Sequence, residues 1–196
     1  MKRLELVLPV LMMGSLWGVV EVLPLPVFVL IGMGVAMLTL GRFRLNMPGS
    51  STGIGLIACL FKAYSMAFYP CNWAGILAVA VSYDVLATVY FRQAEWSRLR
   101  SVLVGGGAAA GSLFLFLAAV LYLVPEPIWI DEGMPRILDY ALGTILPAIV
   151  FSVAIAPLAH VIGRGVKQHL KLAPLQRFSA GAVAATWVTA TILVVT

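Results

Sequence analysis

The charged residues of this chain lie almost wholly between seven long apolar runs, and that spacing constrains the fold more than any motif does. A helix needs about 20 mainly apolar residues to cross a hydrocarbon core, with a range of about 17–25. On that rule the runs read as spans at roughly 4–23, 25–41, 52–69, 72–91, 102–124, 138–163 and 178–196. The second is short and opens with Pro24 and Pro26, which fits a full crossing or a tilted, partial one. Composition agrees: 62% of the 196 residues are hydrophobic and 11% charged, against about 45–50% and about 25% in an average soluble domain. A soluble domain of about 150–200 residues still exposes roughly 30% of its chain surface, which excludes a soluble enzyme, a DNA-binding module and a disordered chain. An outer-membrane barrel would alternate polar and apolar residues along each strand. The expected fold is all-α: one polytopic helical transmembrane bundle over residues 1–196, with six to seven spans.

The loops orient the spans. Lys and Arg accumulate on the cytoplasmic side of a membrane. Lys2 and Arg3 precede the first run, Arg42 and Arg44 follow the second, and Arg92, Arg98 and Arg100 follow the fourth. Arg164, Lys167, Lys171 and Arg177 separate the last two, so that all of these basic residues share one side if there are seven spans. Lys62 and Arg136 alone fall elsewhere. No small-x-small cleavage site follows the first run, which reads as a retained span. The expectation is a multi-pass protein of the cytoplasmic (inner) membrane, N-terminus cytoplasmic and C-terminus outside. The net charge of +5 then reflects topology and calls for no nucleic-acid partner. Glu21, Glu126, Asp131, Glu132 and Asp139 gather on the opposite face. They fill a region from which basic residues are excluded, or they form a vestibule that concentrates cations by focusing the field.

Ionisable groups inside a span are rare and face a partner or a water-filled cavity. Here they are Lys62 and Asp84, in runs joined by the tight turn Tyr69-Pro70-Cys71-Asn72. Counted at about 1.5 Å per residue from inner ends taken as flush, Lys62 lies about 15 Å deep and Asp84 about 10 Å. That difference is within reach of a lysine side chain and predicts a Lys62–Asp84 ion pair, either a structural tie or the heart of a pocket. Helical spacing puts Gly55, Cys59, Met66 and Tyr69 on the Lys62 face and Trp73, Leu77, Ala80 and Thr88 on the Asp84 face. Small residues below aromatics would leave a cavity open outward. Glu21, one turn above Trp17, either sits in the interface or joins Trp17, Asn72 and Trp73 at the mouth of that cavity. Aromatic walls and an acid suit a cationic or heteroaromatic solute. Asp139 shares an outward face with Gly143 and Pro147, and residues 125–133 read as a lid carrying Trp129 or as a linker. Cys59 and Cys71 build no CxxC or Cys/His cluster, and His160 and His169 do not pair across helices for haem, so neither a metal nor a cofactor is expected.

Gly14/Gly18 and Gly107/Gly111 have small-xxx-small spacing, and residues 105–111 are all Gly or Ala. Such stripes let backbones approach closely, within the chain or against another subunit. Together, Gly14 to Glu21, Gly53 to Ser65 (GIGLIACLFKAYS) and Asn72 to Asp84 (NWAGILAVAVSYD) resemble the substrate-binding S components of energy-coupling factor (ECF) transporters, over about the first 95 residues. The resemblance implies a non-enzymatic subunit that binds a vitamin, cofactor precursor or metal and passes it inward with a transmembrane coupling subunit and ATPases. It also implies that Gly14 and Gly18 dock on the coupling subunit. Seven spans with an outside C-terminus depart from the family's six with both ends inside. Two other classes stay open: a membrane scaffold or anchor subunit, resting on the Gly/Ala face, and an intramembrane enzyme acting on a lipid. For the latter, Glu126, Asp131 and Glu132 lack a DxxD-type spacing.

Overall fold

Prolines and polar turns cut the apolar runs into helices. A computed structural model describes residues 2–63, 69–91, 97–169, 181 and 183–188. Helix α1 (Lys2–Val22) stops ahead of Pro24, and α2 (Val27–Arg44) starts after Pro26, whose missing N–H would be an orphan there in any case. Then come α3 (Ser50–Ala63), α4 (Pro70–Phe91) and α5 (Arg98–Ala118). Ser97 caps α5, its hydroxyl accepting from Arg100 N at 3.2 Å, and so satisfies one of the donors that a helix start leaves unpaired. A π-helical turn (Ala119–Leu123) ends α5. Two short helices follow, α6 (Pro127–Asp131) and α7 (Gly133–Tyr140), and a second π-helical turn (Ala141–Ile145) leads into α8 (Leu146–His169). No strand occurs among the described residues.

Three stretches are long and apolar enough to cross a membrane: Pro70–Tyr90, Arg98–Leu123 and Gly133–Gly165. The apolar helices at Val7–Val22, Val27–Phe43 and Ser50–Ala63 are shorter. The sixth run therefore begins its helical path at Gly133, ahead of the boundary expected at 138. The run at 178–196 lies mostly outside the described residues, of which 183–188 are helical.

The long helices alternate in direction. Gly14 and Gly18 face Ile57 and Phe61, so α1 and α3 run parallel; Gly105 and Ser101 face Ala156 and His160, so α5 and α8 run antiparallel. One end of the bundle holds Arg42, Ser97 and Arg164, and is called the basic end here; the other holds Glu21, Pro70 and residues 124–140. Helix α2 packs against α1, α3, α4, α5 and α8 and is the hub. Its composition explains this, because VFVLIGMGVAMLTLG is apolar on every face and a helix apolar all round belongs inside. The second run, whose short length suggested a partial crossing, is thus the most enclosed helix. The core around it comprises Trp17, Ile31, Val35, Leu38, Ile54, Ala58, Tyr83, Val104 and Ala156.

Small residues let these helices meet. A Cβ on Gly14 would strike Ile57, one on Gly18 would strike Phe61, and one on Gly34 would strike the Trp17 indole. The stripe expected to dock a coupling subunit through Gly14 and Gly18 is therefore occupied by α3. The Gly/Ala face of α5 is likewise used internally, with Gly105 against Ala156 and Val35, Gly106 against Val153 and Gly107 against Leu86. In both places the close approach that small residues allow is taken up by a helix of the same chain.

Candidate functional site

Two buried polar clusters interrupt the apolar interior, one at each end. At the basic end Arg42 is 1% exposed and forms an ion pair with Asp84, which is 6% exposed. The same guanidinium donates to the Ser51 hydroxyl at 3.0 Å, the Met47 carbonyl at 2.8 Å and the Thr88 hydroxyl at 3.2 Å. The second Asp84 oxygen accepts from Thr52 Oγ1 at 2.9 Å. One turn before Arg42 on α2, Thr39 Oγ1 lies 2.9 Å from the hydroxyl of Tyr83, the residue next to Asp84, and Thr39 also donates to Val35 O at 2.8 Å. The cluster ties α2, α3 and α4 together. Two charges out of water are tolerable only when their remaining hydrogen-bonding positions are filled, and here Ser51, Thr52, Thr88 and Met47 fill them.

The expected Lys62–Asp84 ion pair does not form, for a reason of register. Thr52 meets Asp84, Gly55 lies against Ala80, and Cys59 Sγ donates to Trp73 O at 3.9 Å. Helix α4 therefore runs from Asp84 to Phe91, about 10 Å past the level of Thr52 at 1.5 Å per residue. The inner ends of the two helices are not flush, and Lys62 sits about 15 Å along α3 from the level of Asp84. Arg42, which the loop pattern assigns to surface orientation, is the partner instead. At the inner end of the cavity expected between the two faces, Ala80 and the Trp17 ring close over Gly55; Met66, expected on its wall, lies outside the described residues.

The second cluster lies at the other end. Glu21 is 6% exposed, and its Oε1 accepts from Trp17 Nε1 at 2.9 Å across one turn of α1. Trp17 itself is buried against Gly34 of α2 and Gly55 of α3. Half-buried Lys62 reaches across from α3 and donates to the main-chain carbonyl of Glu21 at 2.6 Å. The last carbonyls of a helix lack intrahelical partners and carry partial negative charge, so the ammonium caps α1 while standing beside the Glu21 carboxyl group. Buried Cys59 lies one turn below Lys62 and bonds to Trp73 of α4. Trp17, Glu21 and Lys62 are thus gathered at one end of the α1–α3 pair, with the Trp73 main chain of α4 held by Cys59 and Asn72 half-buried next to it.

Asp139 does not join them. Its side chain is 78% exposed on α7 and pairs loosely with Arg136 at 3.8 Å. His160 Nδ1 lies 3.1 Å from Ser101 Oγ, with Phe43 edge-on to the ring. Among the described residues no group of three or more His, Cys, Asp or Glu side chains could hold a metal ion.

A groove of about 580 Å³ lies on the far face of α4. Pro70, Trp73, Ala74, Leu77 and Ala78 form one wall, and Leu115, Ala119, Leu123 and Val124 the other. Spacing along α4 places Leu77 and Trp73 on one face but not which neighbour that face meets, and the neighbour is α5. No family model, no curated protein and no solved structure matches the chain.

Proposed function

We propose that this chain is the solute-binding integral membrane subunit of a micronutrient uptake transporter, similar in role to an S component of an ECF transporter. The observation that carries the reading is the Glu21 carboxyl group, buried with the Trp17 indole and the Lys62 ammonium as its polar neighbours at the end of the bundle opposite the basic end. A carboxyl group buried in such surroundings needs a partner or a function, and Trp17 supplies a single hydrogen bond to it. The indoles of Trp17 and Trp73, the Glu21 acid and the Lys62 ammonium together suit a cationic or heteroaromatic solute such as a vitamin or cofactor precursor. In this reading the chain crosses the inner membrane six or seven times with its N-terminus cytoplasmic. The acidic end then faces outward and the basic loops face the coupling subunit and ATPases. The chain captures the solute and does not transform it. The scaffold reading rests on the Gly/Ala face of α5, whose Gly105 and Gly106 meet α8 and whose Gly107 and Gly111 meet α4.

The test is native mass spectrometry of the detergent-purified chain for a co-purified small molecule, followed by titration of that molecule into variants. Glu21→Gln and Lys62→Met are expected to lower affinity at least about tenfold, the loss of one charged hydrogen bond. Asp84→Asn is expected to lower stability and leave affinity in the surviving folded protein unchanged. Full affinity in Glu21→Gln removes the pocket assignment.

A further inference from the structure

Residues 125–140 form a strap across the acidic end, built unlike the rest of the chain. Both of its roots are π-helical turns, Ala119–Leu123 and Ala141–Ile145, inside helices that are otherwise regular. Wide turns of this kind are rare and are found frequently at functional sites. Each lies just ahead of a proline, Pro125 or Pro147, whose ring and missing N–H disfavour a regular turn. Between the roots, α6 and α7 meet at Gly133, which adopts φ +56° with open space around it. Neither short helix has a side-chain cap.

Three side chains hold the strap down, Trp129, Ile137 and Tyr140. Trp129 is 6% exposed and sits in a triangle with Phe116 and Tyr140, all three ring centroids 5.2 Å apart. The Arg136 guanidinium carbon lies 5.6 Å from the Trp129 ring centroid. Ile128, Ile130, Met134 and Leu138 of the strap are exposed. The seat of Trp129 also shares a wall with the groove between α4 and α5, since Ala74 and Ala78 line both. Lifting Trp129 would join its seat to the groove.

We propose that the strap is a lid, hinged at its two π-helical roots and latched by Trp129, whose opening extends the α4–α5 groove into the bundle between α5 and α7. This inference does not depend on the Glu21 site or on the identity of any solute. Closure by this small cluster, with Trp129 its most buried strap member, leaves the open state as a minor population, commonly about 0.1–10% for such equilibria.

The experiment measures spin-label distances in the full chain, reconstituted in nanodiscs and carrying Cys59→Ala and Cys71→Ala. One label pair is Met134→Cys on the strap with Leu103→Cys on α5; the control pair is Leu103→Cys with Val85→Cys on α4, all exposed positions. The strap pair is expected to show one dominant distance that Trp129→Ala shifts to a longer one, while Trp129→Phe keeps the original distance and the control pair does not move. A strap distance unaltered by Trp129→Ala overturns the proposal, as does an equal shift in Trp129→Phe. A control pair that moves with the strap overturns it too, because the whole bundle has then loosened.

Discussion

At the scale of single residues, Arg42 and Asp84 carry the largest energetic stake. Each is buried, and each satisfies the other together with three helix-borne hydroxyls. Removing one partner strands the other, at a cost of about 3–5 kcal/mol, whereas replacing both with apolar residues of similar size is close to neutral. Arg42→Met and Asp84→Asn are each expected to lower the unfolding midpoint in detergent sharply, and Arg42→Met with Asp84→Leu to recover most of the loss. A double variant as unstable as the sum of the singles would show that the two side chains act separately. Asp84 was legible in the sequence as a charge that a membrane segment does not carry idly, but its partner was not. Arg42 stands beside Arg44 at the end of an apolar run, where a basic residue already has a sufficient explanation as an orientation signal. Only the relative heights of α2, α3 and α4 distinguish a guanidinium in the interface from one turned inward, and heights are set by packing among helices. The same limit governed Lys62. Its burial could be read from the chain, and its reach to the α1 carboxyl end could not.

At the scale of helices, the sequence marked existence and approximate extent well, because length and apolarity are local properties. Neighbours were harder. Glycine spacing signalled that α1 and α5 are approached closely, yet the same spacing serves a helix of the same chain or of another subunit. The structure places α3 against Gly14 and Gly18, and α8 against Gly105. Gly18→Leu is therefore expected to destabilise the isolated chain, by about 1–3 kcal/mol for overpacking of a close contact. Gly49→Ala in the loop, where no atom lies near the added carbon, has a different origin of strain: its φ of +84° disfavours any side chain. Thermal unfolding of the detergent-purified chain measures both. An unchanged midpoint in Gly18→Leu would mean that the stripe is free for another protein. The two π-helical turns had a sequence sign that is easily passed over, namely Pro125 and Pro147 just beyond them.

At the scale of the whole molecule, alternating helix directions put the loop after α2 and the strap at opposite ends. If the bundle spans a membrane in the proposed orientation, single cysteines at Met47 and Met134, both exposed, are expected to react with an impermeant maleimide from opposite sides. Met134 would be labelled in intact cells and Met47 only after the membrane is opened. Equal labelling of both in intact cells would contradict the topology. The distribution of basic residues predicts a sidedness of this kind, since it depends on the loops alone. The centrality of α2 was not legible from its length, because a helix enclosed by its neighbours needs apolar faces on every side and does not need to be long.

The tie between Arg42 and Asp84 also imposes an order on biogenesis. The two are 42 residues apart, so Arg42 leaves the ribosome well before its counter-ion exists. If the bundle spans a membrane, Arg42 in the last turn of α2 is expected to hold its guanidinium among lipid headgroups during that interval. It turns inward when α4 delivers Asp84 to the level of Thr52. A nascent chain released after α3 is thus expected to keep the end of α2 at the surface, accessible to the proteases that clear incompletely assembled membrane proteins.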